Sequence, residues 1–373
     1  MAIYKTLVKK ISVSADMKTK QKEYLKKGKL AIVDQGQQLV GGYSDDENKK
    51  VDCNLPVIVF GDHTRCVKFI SFPFGAGADG TKILAPQDGI LPKYLYYGTQ
   101  YLVLKMPDKG YARHYQHLEK MELPVPEIEV QKQIVDKIEE LLSEIESGVG
   151  TLVKAGNQIR QYKQSLLKTS FENFDDDCTM GDLATMVDPQ PSHRTPPEYE
   201  NGIPYIGIGD IDYSEKSINF KDARKVSPTV LEEHLNRYTL HEGDFVMGKI
   251  GTIGKPFKLP LPQNYTLSAN VILIQPDEDK ILPEFLFWQF SSPLITEQLM
   301  EGKNETSQPA FGIQKARLLR IKMCNFEEQQ KTVKYLREKM SVADSIEKTI
   351  NTTLLQAEAL KQSVLKKAFE GEL

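Results

Sequence analysis

The sequence predicts a mixed α/β (α+β) fold built twice: two globular domains separated by two long helices packed as an antiparallel coiled coil, with an internal pseudo-twofold repeat. Three observations predict it: a duplicated block, two long apolar stripes at helical spacing, and strand-like runs in the segment before each stripe. Residues 163–172 read KQSLLKTSFE and residues 361–370 read KQSVLKKAFE, identical at seven of ten positions at an offset of 198. The same offset aligns Glu129 with Glu327, Gln131 with Gln329, Val135 with Val333 and Ile138 with Leu336. Upstream, ILPKYLYY at 90–97 echoes ILPEFLFW at 281–288 at an offset of 191, and VIVFG at 57–61 stands beside DFVMG at 244–248 at 187. Self-similarity in a fixed order marks a repeated structural unit, and the growing offset places small insertions in the second copy.

The plan divides into 1–125, 126–173, 174–325 and 326–373. In the first domain, Leu55–Phe60 and Tyr101–Leu104 read as strands, and Tyr94–Tyr97 as a short helix. In the second, Phe245–Met247 and Val271–Ile274 read as strands, and Glu284–Phe290 as a short helix. Each domain ends in a short apolar strand, Met121–Val125 or Leu319–Met323, that leads into a long helix. The first long helix carries Ile134, Ile138, Leu141, Ile145, Val149 and Leu152, and the second Val333, Leu336, Met340, Ala343, Ile350 and Leu354. Steps of three and four keep these on one face. Gly148 and Gly150 are expected to bend or break the first helix. A 45-residue helix is about 65 Å long, beyond one small domain, so pairing of the two stripes as a coiled coil is the economical arrangement. The alternative is that each helix packs on its own domain.

The chain has 373 residues, 40% hydrophobic and 27% charged, with a net charge of −3. No apolar run reaches the roughly 20 residues of a membrane span, and the N-terminus lacks the apolar core of a secretion signal. Cys53, Cys66, Cys178 and Cys324 are scattered without a CxxC pair. That spacing argues against a zinc knuckle or disulfide framework and for a cytoplasmic setting. The charge is uneven: residues 1–125 carry 19 Lys+Arg against 13 Asp+Glu, and residues 174–325 carry 15 against 22. An acidic segment binds phosphates only through a local basic patch.

Four patterns imitate catalytic sites. Phe74-Gly-Ala-Gly-Ala-Asp-Gly80 looks like a methyltransferase glycine turn, but no Asn/Asp-Pro-Pro-aromatic loop for a flipped base accompanies it; a surface glycine turn is expected. Thr195-Pro-Pro-Glu-Tyr199 lacks the amide and the adjacent aromatic. Gly248-Lys-Ile-Gly-Thr-Ile-Gly-Lys255 suggests a phosphate loop, but Lys249 and Pro256 break the Walker spacing. The six histidines show no metal-ligand spacing, and no nuclease-like carboxylate cluster stands out. No catalytic constellation and no metal site emerge, so the chain is expected to be non-catalytic and to bind no cofactor.

Polar loops after matching strands give a better signal. Gly61-Asp-His-Thr-Arg65, with Lys68 behind it, follows one strand, and Gly248-Lys-Ile-Gly-Thr252, with Lys255 and Lys258 behind it, follows the echoing strand. Small residues let backbone approach a phosphate, while Arg, His and Thr reach base edges. A solvated hairpin tip is the bland alternative; its recurrence in both copies favours DNA contact.

The two-copy plan and the helix openings Glu129-Val-Gln131-Lys-Gln-Ile134 and Glu327-Glu-Gln329-Gln-Lys resemble the specificity subunits of type I restriction–modification systems. So do the helix ends, Leu166-Leu-Lys-Thr-Ser-Phe171 and Val364-Leu-Lys-Lys-Ala-Phe369. Lys29-Leu-Ala-Ile-Val-Asp-Gln-Gly36, Gly41-Gly-Tyr43 and Val57–Arg65 look like one type of target-recognition domain in that family, and Gly202–Ile206 with Asp210-Ile211 like another. One departure is Cys324-Asn-Phe326, where the family has Pro-x-Pro and the first copy keeps Pro124-Val-Pro126; it bears on the angle at which that helix starts.

The resemblance implies that each target-recognition domain reads one half of a bipartite double-stranded DNA sequence, with the helices setting the spacer at near one turn, roughly 34 Å. It implies docking of two adenine-N6 methyltransferase subunits, with a restriction (motor–nuclease) subunit joining for cleavage. S-adenosylmethionine, ATP and Mg²⁺ would belong to those partners. DNA contacts are assigned to His63, Thr64, Arg65, Lys68, Lys249, Thr252 and Lys255, with Tyr43, Gln263 and Asn264 as further candidates. Ile134, Ile138, Leu141, Ile145, Leu336, Met340, Ile350 and Leu354 are assigned to the helix–helix spacer. The competing reading is a duplicated coiled-coil scaffold that binds proteins and never DNA, supported by the acidity of residues 174–325. A specificity-like fragment of a fused methylase–nuclease is a third; a two-copy plan beginning at Met1 speaks against it.

Overall fold

A computed structural model describes residues 1–78, 80–107, 110, 112–192, 194–249, 253–301 and 312–373. It divides into two units, Met1–Lys154 with Ile350–Leu373, and Ala155–Thr349. The first contains β1 (Ala2–Ile3), α1 (Tyr4–Leu7), β2 (Val8–Ile11), β3 (Leu30–Val33), β4 (Gly42–Ser44), β5 (Val57–Gly61) and β6 (Val67–Ile70). It continues with β7 (Phe74–Ala76), β8 (Thr81–Pro86), α2 (Pro92–Lys105), α3 (Tyr115–Leu118), β9 (Glu122–Leu123) and the opening of α4 (Ile128–Phe171). The second contains β10 (Asp175–Thr179), α5 (Met180–Leu183), β11 (Ala184–Val187), β12 (Ile203–Ile206), β13 (Ile211–Asp212), β14 (Ser217–Ile218), β15 (Lys225–Val226) and α6 (Pro228–Leu235). It continues with β16 (Phe245–Gly248), β17 (Pro256–Lys258), β18 (Thr266–Leu267), β19 (Val271–Pro276), α7 (Pro283–Phe290), α8 (Pro293–Glu301), α9 (Ile313–Arg317), β20 (Arg320–Met323) and the opening of α10 (Phe326–Glu370).

The two units share one topology. An antiparallel sheet β2-β8-β5-β6 has its counterpart in β11-β19-β16-β17, and β4-β3-β7 in β15-β12-β18. In both three-stranded sheets one pair is parallel, β3 with β7 and β12 with β18. The β13–β14 hairpin and α6 of the second unit lie between β12 and β16, upstream of the segment over which the offset grows. The central strands β5 and β16 are buried along their whole length, which is why VIVFG and FVMG are apolar without alternation. Both α2 and α7 open with proline, whose missing N–H costs nothing in a first helical turn.

Two sequence expectations need correcting here. Tyr101–Leu104 is the last turn of α2 and not a strand: Tyr94, Leu95, Gly98, Tyr101 and Leu102 are buried at helical spacing, and no breaker precedes Pro107. Gly148 and Gly150 do not break α4, which is continuous through both. A third glycine reading also changes, since Phe74–Gly77 is a buried strand and its exit and not a surface turn.

Each long helix begins in one unit and ends in the other. In the first unit, Ile58, Phe60 and Leu84 of the sheet, Tyr94 and Leu102 of α2, and Val135 and Ile138 of α4 share one core with Val364, Leu365 and Phe369 of α10. Phe369 stacks on Tyr101 with ring centroids 5.2 Å apart and lies 5.1 Å from Tyr94. In the second unit, Phe245, Ile274, Phe285 and Leu336 share a core with Leu166, Leu167 and Phe171 of α4, and Phe171 meets Phe285 edge-on at 5.2 Å. The two helices run antiparallel. Lys361 lies 3.7 Å from Glu146 in the first unit, and Lys163 lies 2.6 Å from Asp344 in the second.

The spacer residues therefore divide. Ile134, Ile138, Leu141 and Ile145 belong to or pack against the first core, and Leu336 and Met340 belong to the second. Ile350 is buried and Leu354 half-buried on the remaining stretch of α10. Packing on a domain and pairing of helices, posed by the sequence as alternatives, both occur.

A buried amide fixes each helix start. Gln131 accepts a hydrogen bond from the Leu91 N–H (2.9 Å) and donates to the carbonyls of Gly89 (2.9 Å) and Pro126 (2.8 Å). Gln329 accepts from the Leu282 N–H (2.9 Å) and donates to the Cys324 carbonyl (3.0 Å). Cys324 thus does with its carbonyl what Pro126 does, while Asn325 caps the helix by accepting from the Glu328 N–H at 2.9 Å. Replacing Gln131 or Gln329 with Met would strand these groups without water, at a cost of about 2–4 kcal/mol. Urea unfolding followed by hydrogen exchange should find the loss concentrated in the unit that holds the altered residue. By contrast, Gly148 and Gly150 are exposed, and an added Cβ would meet nothing within 4 Å. Gly148→Ala and Gly150→Ala should each stabilise the chain by about 0.5–1 kcal/mol, read as a raised urea midpoint.

Candidate nucleic-acid interface

Strand register gathers three loops at one end of each unit. In the first, Gly61 pairs with Thr81 and Val33 with Ala76. The β5–β6 turn, the loop after β3 and the segment between β7 and β8 are thereby neighbours. Asp62 donates its N–H to the Gly80 carbonyl (2.7 Å). Gln35, after β3, accepts from the His63 N–H at its side-chain oxygen (3.2 Å) and from the Thr64 hydroxyl at its carbonyl. The His63 ring reaches the Ala112 carbonyl through Nδ1 at 3.2 Å. Asp62 is buried, accepts from the Tyr115 N–H (2.9 Å) and pairs with Lys82 (3.2 Å).

The turn is tight. A Cβ at Gly61 would collide with the Thr64 hydroxyl and stand 3.0 Å from the Gln35 carbonyl. Gly77 passes so close to the loop after β3 that a Cβ would lie 2.5 Å from both Asp34 Cβ and the Tyr24 oxygen. Arg65 closes the turn at φ +60°, a left-handed conformation costly for a residue with a Cβ, and donates its N–H to the Gly61 carbonyl (2.8 Å). Strain held at a turn is typical of a residue kept for what it touches.

The second unit repeats the arrangement with different chemistry. Gly248 pairs with Val271 and Ile206 with Leu267. Lys249 after β16, the loop after β12 and residues 268–270 therefore adjoin. Asn270 is the hub: its carbonyl accepts from the Lys249 N–H (2.8 Å), and its side chain accepts from the Ile208 N–H (3.2 Å) and the Ser268 hydroxyl. The Lys249 ammonium pairs with Asp188 at 2.8 Å, after β11.

A family model for the type I restriction modification DNA specificity domain matches residues 178–356. Over that stretch the chain is similar to the specificity domain of type I restriction–modification systems. It is 24% identical over 278 residues to the EcoBI specificity subunit of Escherichia coli, covering 67% of this chain and 58% of that protein. To the EcoKI specificity subunit of E. coli K12 it is 24% identical over 277 residues, covering 67% and 57%. The chain thus spans somewhat more than half the length of these curated relatives. Among solved structures, a chain from work on complex assembly and conformational transition of the type I R-M system matches with a TM-score of 0.69 at 14% identity, over 100% of this chain and 97% of its own. The HsdS subunit from Thermoanaerobacter tengcongensis matches with a TM-score of 0.50 at 15% identity, over 100% and 96%. At such identities the structural likeness is one of fold.

The loop ends hold some of the residues expected from sequence and exclude others. His63, Thr64 and Arg65 share the first turn, and Lys249 opens the second. Thr252 lies outside the described residues. Lys68 is a correction: it is 5% exposed, donates to the Asp34 carbonyl (2.8 Å) and stands 3.5 Å from the Asp34 carboxylate. Burial pushes its pKa down, against the pull of Asp34. Its position on β6 points it beneath the turn. Tyr43 is mid-strand on β4, paired with Ala31 and bonded through its backbone to Leu25, and so stands apart from the loop end. Gln263 and Asn264 precede β18, whereas the second loop cluster follows it; Gln263 is occupied with the Leu240 N–H at 2.9 Å. Lys255 lies over the Tyr213 ring at 4.0 Å, on the β17 side of the turn.

The sequence reading missed Asp34, Gln35, Asp188 and Asn270, which hold the loops from behind. Polar residues directly after a buried strand, as in Ile-Val-Asp-Gln-Gly at 32–36, are the signal that marks the first pair. Two substitutions should separate shape from contact. Lys68→Met leaves the Asp34 carboxylate without its cation and should lower stability by about 3 kcal/mol. Arg65→Gly suits the left-handed backbone and should preserve the unfolding midpoint while weakening DNA binding, checked by calorimetry and by fluorescence anisotropy.

Proposed function

We propose that this chain is the sequence-reading subunit of a type I restriction–modification complex. Each unit reads one half of a bipartite double-stranded DNA target through its loop cluster. The observation that carries this reading is the recurrence of one topology, with the same three loops converging at the same strand ends, in two units that share a pair of 44- and 45-residue helices. A bipartite target needs two readers with a common frame and different side chains, and these loops have both: His63 and Arg65 in one, Lys249 in the other.

The chemistry is assigned to partners. Two methyltransferase subunits dock on this chain and a motor–nuclease subunit joins them, carrying S-adenosylmethionine, ATP and Mg²⁺. This chain contributes position: it holds base edges in register for an adenine-N6 methyltransferase. Its surroundings are cytoplasmic, where such DNA is found. Among the described residues, no helix is long and apolar enough to cross a membrane.

The acidity of residues 174–325 favours one rival, a protein-binding scaffold that never touches DNA. Mapping N6-methyladenine across the host genome with and without the gene separates the two. The recognition reading expects one bipartite motif to vanish on deletion, and an unchanged map with the methyltransferase expressed would support the scaffold. Within the recognition reading, Arg65→Ala should cost about 1–3 kcal/mol of binding and relax preference in one half-site only. Affinity should also fall with salt as phosphate contacts release counterions, more steeply for the half read by the basic first unit.

A further inference from the structure

One polar side-chain network in the second unit plays no part in the loop cluster described above, and it runs from the sheet to an exposed loop. His234 of α6 is 3% exposed. Its Nε2 lies 2.6 Å from Gln190 Oε1, and its Nδ1 is bonded to the Thr266 hydroxyl. Tyr238 sits one helical turn on, with its hydroxyl 3.2 Å from Thr266 Oγ1 and accepting from the Leu267 N–H at 3.1 Å. At the other end, Gln190 Nε2 donates to Ser192 Oγ (2.9 Å) and to the Arg194 carbonyl (3.1 Å).

The direction of these bonds follows from donor and acceptor chemistry. The Arg194 carbonyl can only accept, so the Gln190 amide nitrogen faces it and the amide oxygen faces His234. That oxygen can only accept, so His234 carries its proton on Nε2. Burial first, and then nearby Arg237, hold the imidazole pKa below its ordinary value, so Nδ1 is an acceptor and takes the Thr266 hydroxyl proton. Tyr238 then donates to Thr266 and is itself fixed by the Leu267 N–H. Every proton in the chain points outward, from β18 to the loop.

That loop, residues 188–194, is next to the second reading turn. Asp188 pairs with Lys249 at its start, and its Oδ1 accepts from the Gln190 N–H at 3.2 Å. Arg194 and Ser192 at its far end are exposed. Gln190 ties Asp188 on one side of it to Ser192 and Arg194 on the other.

We propose that the loop 188–194 is a specificity-determining element of the second unit, with Arg194 as a DNA-contacting residue and His234 as the positioning residue that sets the loop through Gln190. The inference rests on the recognition reading given above. It makes a demand that simple surface contact does not: buried Thr266, which cannot touch DNA, must influence the same base pairs as Arg194.

The test uses the full chain assembled with its methyltransferase partner and a pool of randomised DNA duplexes, selected by binding and sequenced. Four substitutions are compared with wild type. Gln190→Glu keeps an acceptor for His234 but cannot donate to the Arg194 carbonyl, and Arg194→Ala removes the contact. Thr266→Val removes the buried hydroxyl with little change of shape, and Thr266→Ser restores it. We expect Gln190→Glu, Arg194→Ala and Thr266→Val to lower the preference at the same base pairs of one half-site by about tenfold. The other half-site should be unchanged in all four, and the melting temperature should hold in Gln190→Glu and Arg194→Ala. In Thr266→Val the melting temperature should fall, because His234 and Tyr238 lose a buried partner, and Thr266→Ser should match wild type. Preferences unchanged in Gln190→Glu, or lost equally in both half-sites, would overturn the inference alone. A wild-type pool without any bipartite motif would overturn the recognition reading and this inference with it.

Discussion

Gln131 and Gln329 are each fully buried one turn into a long helix, and the rest of the architecture hangs on where they hold it. A buried amide must find partners for its oxygen and both hydrogens or lose more than it contributes. Gln131 meets all three through the Leu91 N–H and the carbonyls of Gly89 and Pro126, and Gln329 accepts from the Leu282 N–H and donates to the Cys324 carbonyl. Because backbone groups are the partners, the bond pattern tolerates Pro replaced by Cys, and the second helix opens at the position equivalent to the first. With its start fixed, α4 extends from one unit to the other, as α10 does in reverse. Phe369 and Phe171 then supply the last aromatic side chain to cores that the domain segments leave incomplete.

The loop ends show how one frame carries different chemistry. Register places the same three connections together in both units, because strand pairing is decided by backbone hydrogen bonds and by which face is buried. What fills the connections is free to differ. In the first unit Asp34 and Gln35 brace the turn from behind, with Lys68 buried as the counter-charge of Asp34. In the second, Asn270 braces it, and Asp188 takes the ammonium of Lys249. Bracing residues and reading residues are thus separate sets, and a lysine near a turn is as readily one as the other.

Several features were legible without coordinates. The ten-residue echo at 163–172 and 361–370 announced the duplication, and the helical spacing of Ile134, Ile138 and Leu141 announced the first long helix. Leu55–Phe60 and Phe245–Met247 read as strands because their β-branched and aromatic residues lie between turn formers, and the strands run Val57–Gly61 and Phe245–Gly248. Tyr101–Leu104 did not, since a run of four apolar residues has no period of its own and only its continuity with buried Tyr94 and Leu95 reveals a helix. The glycines misled for a related reason. Gly75 and Gly77 serve close approach of buried backbone, Gly148 and Gly150 serve neither turn nor packing, and sequence presents all four alike.

The sequence by itself determined the two-copy plan, the identity of the long helices and the strands that end in polar turns, since these depend on local periodicity and on similarity along the chain. Only the tertiary structure decided which side chains stand at the loop ends. Lys68 and Arg65 are three residues apart, and nothing local distinguishes a cation buried against a carboxylate from one half-buried on left-handed backbone. Their difference is set by Asp34, about thirty residues upstream, which strand pairing alone brings beneath the turn.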